Sequence, residues 1–369
     1  MKNIFRFGIC QHLLYLLMLL ISVSTVAQTK RATFDEKING MSFLGPESPA
    51  LNLAMFEGIK ITNANWVALI PEATLDRQTL EIQADSLNPR WGETLEAQIQ
   101  GIRLAKQAGF KVLLKPHIVL EKSKISHANF LKKLLVADKT DKTGGASWRG
   151  DFKAKNEDDW RTWEKSYEAY ILNLAEVADS LNVEMLVIGT ELRAFATKRL
   201  QFWQQLIPKV RNLYKGAITY SANWDEYDKI LFWDELDYIG IDTYFPINFS
   251  KTPSVKKTKK NWRSIKKQLK SLSQKHQRKI LMTEFGYRNI SFAGTMPWIH
   301  DKGNATPNYQ AQTNLYEAFF QSFWNEPWVA GGFSWNWLHA PQAVGNTDFS
   351  VENKPALKVI QKYFGTIYP

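Results

Sequence analysis

The stretch from Trp160 to Glu191, WRTWEKSYEAYILNLAEVADSLNVEMLVIGTE, carries two periods in succession. Trp160, Trp163, Tyr167, Ile171, Leu174, Val177 and Leu181 recur at helical spacing, the stripe of a helix with one buried face. Met185–Gly189 is then apolar without interruption, as a strand covered on both faces must be. A helix feeding such a strand is half of a parallel crossover, and the pattern repeats in both directions. Further strand-like runs lie at Ile38–Phe43, Trp66–Ile70, Lys111–Pro116, Ala217–Ser221, Tyr238–Thr243, Lys279–Thr283 and Gly332–Trp335. Leu95, Ile99, Ile102 and Ala105, and later Trp262, Ile265, Leu269 and Leu272, mark helices between them. Eight such units predict an α/β fold, a single (β/α)8 TIM barrel. A doubly wound sheet is the competing architecture, but no G-x-G-x-x-G or P-loop follows any strand. The longest insertion, roughly Ile118 to Asp159, predicts a long loop after strand three on the active face.

Composition narrows the class. The 369 residues are 44% hydrophobic and 22% charged, which excludes a disordered, collagenous or coiled-coil chain. The single cysteine, Cys10, excludes a disulfide framework and a Cys-rich metal site. Lys2 and Arg6 precede an apolar run from Leu13 to Ile21, and small residues lead to Ala27. These are the parts of a secretory signal over residues 1–27, cleaved before Gln28. The run is shorter than the roughly 20 residues of a spanning helix, an uncleaved anchor being the alternative. The product, Gln28 to Pro369, is expected as one exported domain, periplasmic or secreted, with no stable membrane span. Between Lys251 and Lys279 lie twelve Lys or Arg and no acid. The buried stripe at Trp262, Ile265, Leu269 and Leu272 makes this the solvated face of a helix; an anionic polysaccharide or lipid surface is the alternative partner. No recognition motif supports nucleic acid as a partner.

A barrel places its chemistry at the C-terminal ends of its strands. Two carboxylates stand there directly after an apolar run and a Thr: Glu191 after the fourth strand and Glu284 after the seventh. A structural reading pairs them with the nearby Arg193 and Arg288. Their company favours catalysis: Lys115 and His117, Asn223 and Trp224, Tyr244, Trp335 and Trp337 are all strand-end residues. Two carboxylates facing across a cleft supply what glycosidic cleavage requires, one protonated to serve the leaving oxygen and one ionised on the opposite face. The 14 Trp and 13 Tyr fit as well, because sugar rings stack their C–H faces on flat aromatic surfaces. Six scattered His without H-E-x-x-H give metal chemistry no support, and a Ser triad lacks its G-x-S-x-G elbow.

The chain resembles glycoside hydrolase family 113, a β-mannanase family of the retaining clan A barrels. The resemblance runs from Ile38 to Phe364 and rests on segments in order. These are Leu114-Lys115-Pro116-His117, Trp148-Arg149-Gly150, Val187-Ile188-Gly189-Thr190-Glu191-Leu192, Asp242-Thr243-Tyr244-Phe245-Pro246, Thr283-Glu284-Phe285-Gly286-Tyr287, Phe333-Ser334-Trp335-Asn336-Trp337 and Lys354-Pro355-Ala356. It implies Glu191 as acid/base and Glu284 as nucleophile of a β-1,4-mannanase that needs no metal or organic cofactor. Tyr244 would hydrogen-bond the nucleophile, and Trp335 would floor the sugar at the cleavage point, with Trp337 beside or behind it. Asn223, Trp224, His117, Lys115, Trp148 and Arg149 would line the cleft. Many clan members carry Asn before the acid/base where this chain has Thr190, which bears on sugar preference. The substrate is thus expected to be a β-linked polysaccharide or oligosaccharide: mannan first, glucan or glucomannan as the alternative. A non-catalytic glycan-binding barrel is the reading from another class.

Overall fold

The computed structural model describes residues 32–84, 91–120, 146, 148–300, 305–340, 342, 343 and 345–366. The export-signal reading, residues 1–27, falls outside them. Among the described residues no helix is long and apolar enough to cross a membrane.

Eight strands close a parallel barrel: β1 (Ile38–Leu44), β2 (Trp66–Leu69), β5 (Lys111–Leu114), β7 (Met185–Thr190), β8 (Ala217–Asn223), β9 (Ile239–Asp242), β10 (Ile280–Phe285) and β11 (Val329–Leu338). Each overlaps one of the eight predicted runs. Their alternation sorts the core into two layers. Ile38, Trp66, Leu113, Met185, Val187, Ala217, Leu281 and Phe333 form one apolar cluster. Their chain neighbours Val67, Val112, Leu114, Leu186, Ile188, Ile218 and Met282 belong to the larger one, shared with the surrounding helices. Strands buried on both faces explain why each run reads as continuous apolar sequence.

Helices lie between most strands, including Leu95–Gln107, Glu157–Ser180, Leu200–Leu213, Val255–His276 and Tyr309–Phe323. The connection from β8 to β9 differs, carrying two short 3-10 turns, Tyr227–Lys229 and Trp233–Glu235. In Glu157–Ser180, Trp160, Trp163, Tyr167 and Tyr170 are buried, and Trp163 and Tyr167 pack around Phe195. The Tyr167 hydroxyl donates to the carbonyl of Ile188 at 2.8 Å. A Cβ on Gly189 would lie 2.8 Å from that hydroxyl and 2.9 Å from Trp203, so glycine lets the helices close on β7 just before Glu191.

A second sheet, invisible in the sequence, stands beside the barrel: β3 (Glu72–Leu75) pairs antiparallel with β4 (Ile82–Ala84) and parallel with β6 (His117–Leu120). The insertion after the third barrel strand therefore begins as a strand and not as a loop. Residues 121–145 of that predicted loop lie outside the described residues. Runs of three or four residues carry too little pattern to be read as strands.

Candidate active site

A cavity of about 710 Å³ opens at the C-terminal ends of the barrel strands. Nine of the predicted site residues line it: His117, Trp148, Arg149, Glu191, Asn223, Trp224, Tyr244, Glu284 and Trp335. Backbone irregularity aims the two glutamates. The β7–β8 register shifts between Val187 and Thr190, and β10 slips against both neighbours just before or at Glu284. Each slip breaks the strict in–out alternation, which is how bulges redirect side chains near active sites. Glu191 sits at φ 52°, a left-handed conformation costly for a residue with a Cβ. Its N–H is held by the carbonyl of Ser221 at 2.7 Å.

Glu284 is 6% exposed and rests in a polar nest. The Lys115 ammonium donates to its Oε1, the Tyr244 hydroxyl donates to Oε2 at 2.9 Å, and His117 Nε2 lies 3.4 Å from Oε1. Burial opposes ionisation there, but Lys115 and the His117 contact outweigh it and hold the carboxyl well below the usual range. Lys115 is fully buried and also bonds Asp242 at 3.1 Å. Burial and the Glu284 charge push Asp242 up to about 7, against the pull of Lys115. The other oxygen of Asp242 accepts from Ser221 and Thr283, both at 2.8 Å. Burial, Arg149 and Lys115 drive His117 down to about 3, so its ring is neutral. Burial and Glu284 raise the Tyr244 phenol well above its ordinary value, leaving it a firm donor.

Glu191 has different company. Arg149 Nη2 reaches its Oε2 at 2.7 Å, not the Arg193 of the structural reading, which instead pairs with Asp151 and Asp225. Burial raises its carboxyl above the ordinary value despite Arg149, and the Glu284 charge pushes the same way. Two carboxyls in one cavity are thus biased to opposite protonation states. That division is what an acid and an anion working on one bond require.

Two sequence expectations need correcting. Lys115 does not line the cleft: with no exposed surface it sits beneath Glu284 and contacts carboxylates. Trp337 does not reach the cavity either. It belongs to the apolar layer behind the barrel, its ring about 3.9 Å from the position of a Cβ on Gly58. Thr190 is 2% exposed and is not among the residues that line this cavity. Trp335 does present its ring to the site, stacked at 15° on His117 with centroids 6.1 Å apart. Its Nε1 and the Oδ1 of Asn336 have no hydrogen-bond partner among the described residues. The cavity also takes in Glu72, Glu93, Arg193, Asp225, Trp298, His300 and Asn336. Asn336 stood within a quoted motif; Trp298 and His300 come from a loop with no motif. Among the described residues no group of three or more His, Cys, Asp and Glu is arranged to hold a metal.

A sequence model of glycoside hydrolase family 113 matches residues 51–354, most of the chain and a range that includes Glu191 and Glu284. The chain belongs to this family. It is a glycoside hydrolase. Solved family 113 structures share its fold. A β-1,4-mannanase is 24% identical, with a TM-score of 0.73 over 90% of this chain and 99% of its own. The family 113 β-mannanase of Alicyclobacillus acidocaldarius is 22% identical, with a TM-score of 0.73 over 89% of this chain and 97% of its own. Faecalibacterium prausnitzii β-glucuronidase matches 90% of this chain with half of its own length, at 13% identity and a TM-score of 0.58. No curated protein matches.

Proposed function

We propose that this family 113 glycoside hydrolase is a retaining endo-β-1,4-mannanase using Glu284 as nucleophile and Glu191 as acid/base. The observation that carries the reading is two glutamates lining one cavity in unlike company, Glu284 bonded by Lys115 and Tyr244 and Glu191 by Arg149. Ionised Glu284 attacks the anomeric carbon while protonated Glu191 gives its proton to the departing oxygen. Glu191 then takes a proton from the water that releases the sugar from Glu284. Lys115 and Tyr244 favour the carboxylate before attack, and Trp335 floors the reacting sugar. Retention requires the carboxyl groups about 5–5.5 Å apart. Mannan as substrate is supported by the family and by the two solved relatives named as β-mannanases. Export on residues 1–27 belongs to the same proposal, and N-terminal sequencing of the mature protein should begin at Gln28.

The purified chain would be incubated with β-1,4-mannan and mannooligosaccharides beside Glu191→Gln and Glu284→Gln, with products followed by chromatography and their anomeric configuration by NMR. Short β-anomeric mannooligosaccharides from the wild type alone are expected. Activity confined to a β-glucan overturns the sugar and keeps the mechanism. Initial α-anomers overturn retention. Binding of glycan with no turnover overturns the enzyme reading.

A further inference from the structure

We propose that Trp224, Trp298 and the apolar rim of the 288–300 loop form a platform for the leaving-group arm of a long, neutral β-linked glycan. The inference rests on the proposed roles of Glu191 and Glu284 and adds the direction in which the substrate leaves the site. Trp298 is 37% exposed and stacks on Trp224, with ring centroids 5.2 Å apart and planes at 20°. Trp224 is braced in turn by Phe245 at 5.9 Å. Both indoles line the cavity.

Beyond Trp298 the apolar surface continues. Phe292 is 52% exposed, Met296 51% and Phe249 67%, and all three border a second depression of about 310 Å³. Met296 and Pro297 line that depression while Trp298, next in the chain, lines the cavity, so one loop joins the two. Large apolar side chains clustered in water beside a polar cavity mark a binding surface. The loop is pinned in place. The N–H groups of Ile247 and Asn248 both donate to the carbonyl of Gly294, at 2.8 and 3.1 Å, and Phe292 N–H donates to Lys251 at 3.0 Å. A platform held before binding costs little ordering when sugar arrives.

Strand order supplies the polarity. Trp224 follows β8, and β8 pairs with β7, whose C-terminal end carries Glu191. The 288–300 loop follows β10, whose C-terminal end carries Glu284, but its Trp298 stacks on Trp224. Arg193, two residues after Glu191, pairs with Asp225 beside that indole at 2.7 Å. The group that gives its proton to the departing oxygen therefore stands next to the platform. Glu72, Leu44 and Asn336 line the part of the cavity built on β1, β3 and β11.

The test compares wild type, Trp298→Ala and Phe292→Ala on mannooligosaccharides of three to six residues. Binding of the same series and of β-1,4-glucooligosaccharides is also measured by calorimetry in the Glu284→Gln background. The ratio of kcat/KM for the hexamer to that for the trimer is expected to fall about tenfold in Trp298→Ala, mainly through KM, and less in Phe292→Ala. Hexamer cleavage should shift toward products with a shorter leaving fragment. An equal loss at every length, or an unchanged ratio, overturns the platform. Cleavage of glucans alone removes mannan as substrate while the length ratio on glucans still decides the platform. Calorimetry showing no length-dependent loss of affinity with either series overturns it whatever the turnover.

Discussion

Glu284 and Glu191 share one cavity, one residue type and nearly the same burial, yet their surroundings divide them. Beneath Glu284 lie a buried ammonium, a phenol and a neutral imidazole, all able to donate to a carboxylate. Beside Glu191 stands one guanidinium, which burial and the second carboxylate outweigh. Burial alone therefore does not set the role of a carboxyl; the number and placement of donors around it decide which form is favoured.

The largest expected effect comes from removing the carboxyls themselves. Glu284→Ala should lower kcat about 10⁴-fold or more on every substrate, because no bond to the anomeric carbon can form. Glu191→Ala should cost about 10²–10⁴-fold on mannan. It should cost much less on an aryl glycoside whose leaving group needs no proton, and steady-state rates on both substrates measure the difference. Equal losses on the two substrates in Glu191→Ala would break the division of roles.

Lys115→Met tests the nest from below. Glu284 and Asp242 then face each other without their shared cation, and unfolding in urea should show a loss of about 3–5 kcal/mol. Glu284 becomes harder to ionise, so the acid limb of the kcat/KM profile moves to higher pH. A folded variant with an unmoved acid limb would deny Lys115 this role.

Tyr244→Phe is milder. It removes one hydrogen bond to a charged acceptor and should lower kcat/KM about 10–100-fold, again with the acid limb moving up. Arg149→Gln should have the smallest effect at the pH optimum, within about tenfold, because Glu191 can respond by holding its proton. With the guanidinium gone its carboxyl rises further, so the basic limb, where protonated Glu191 is lost, moves to higher pH. Movement in the opposite direction would reverse the assignment.

The same contrast shows how far the sequence could be read. Glu191 and Glu284 were legible because each ends a continuous apolar run, and Tyr244 and Trp335 because they end others. Lys115 and Trp337 were legible as strand-end residues and misread in direction. Lys115 points beneath the site, and Trp337 turns outward past a register shift between β1 and β11 at Ser42/Phe43. Trp298 carried no signal, since an indole in a loop is local sequence without a period.

Eight parallel strands, their order along the chain and the two glutamates at their ends follow from the sequence by itself. Each rests on burial repeated over adjacent residues, and adjacent residues are what a sequence displays. The protonation of those glutamates, the register slips that aim them and the Trp224–Trp298 pair were decided only in the folded molecule. Lys115 lies 169 positions from Glu284 and Arg149 lies 42 from Glu191. An electrostatic environment acts over a few ångströms of space, and only the closed barrel brings those positions within reach.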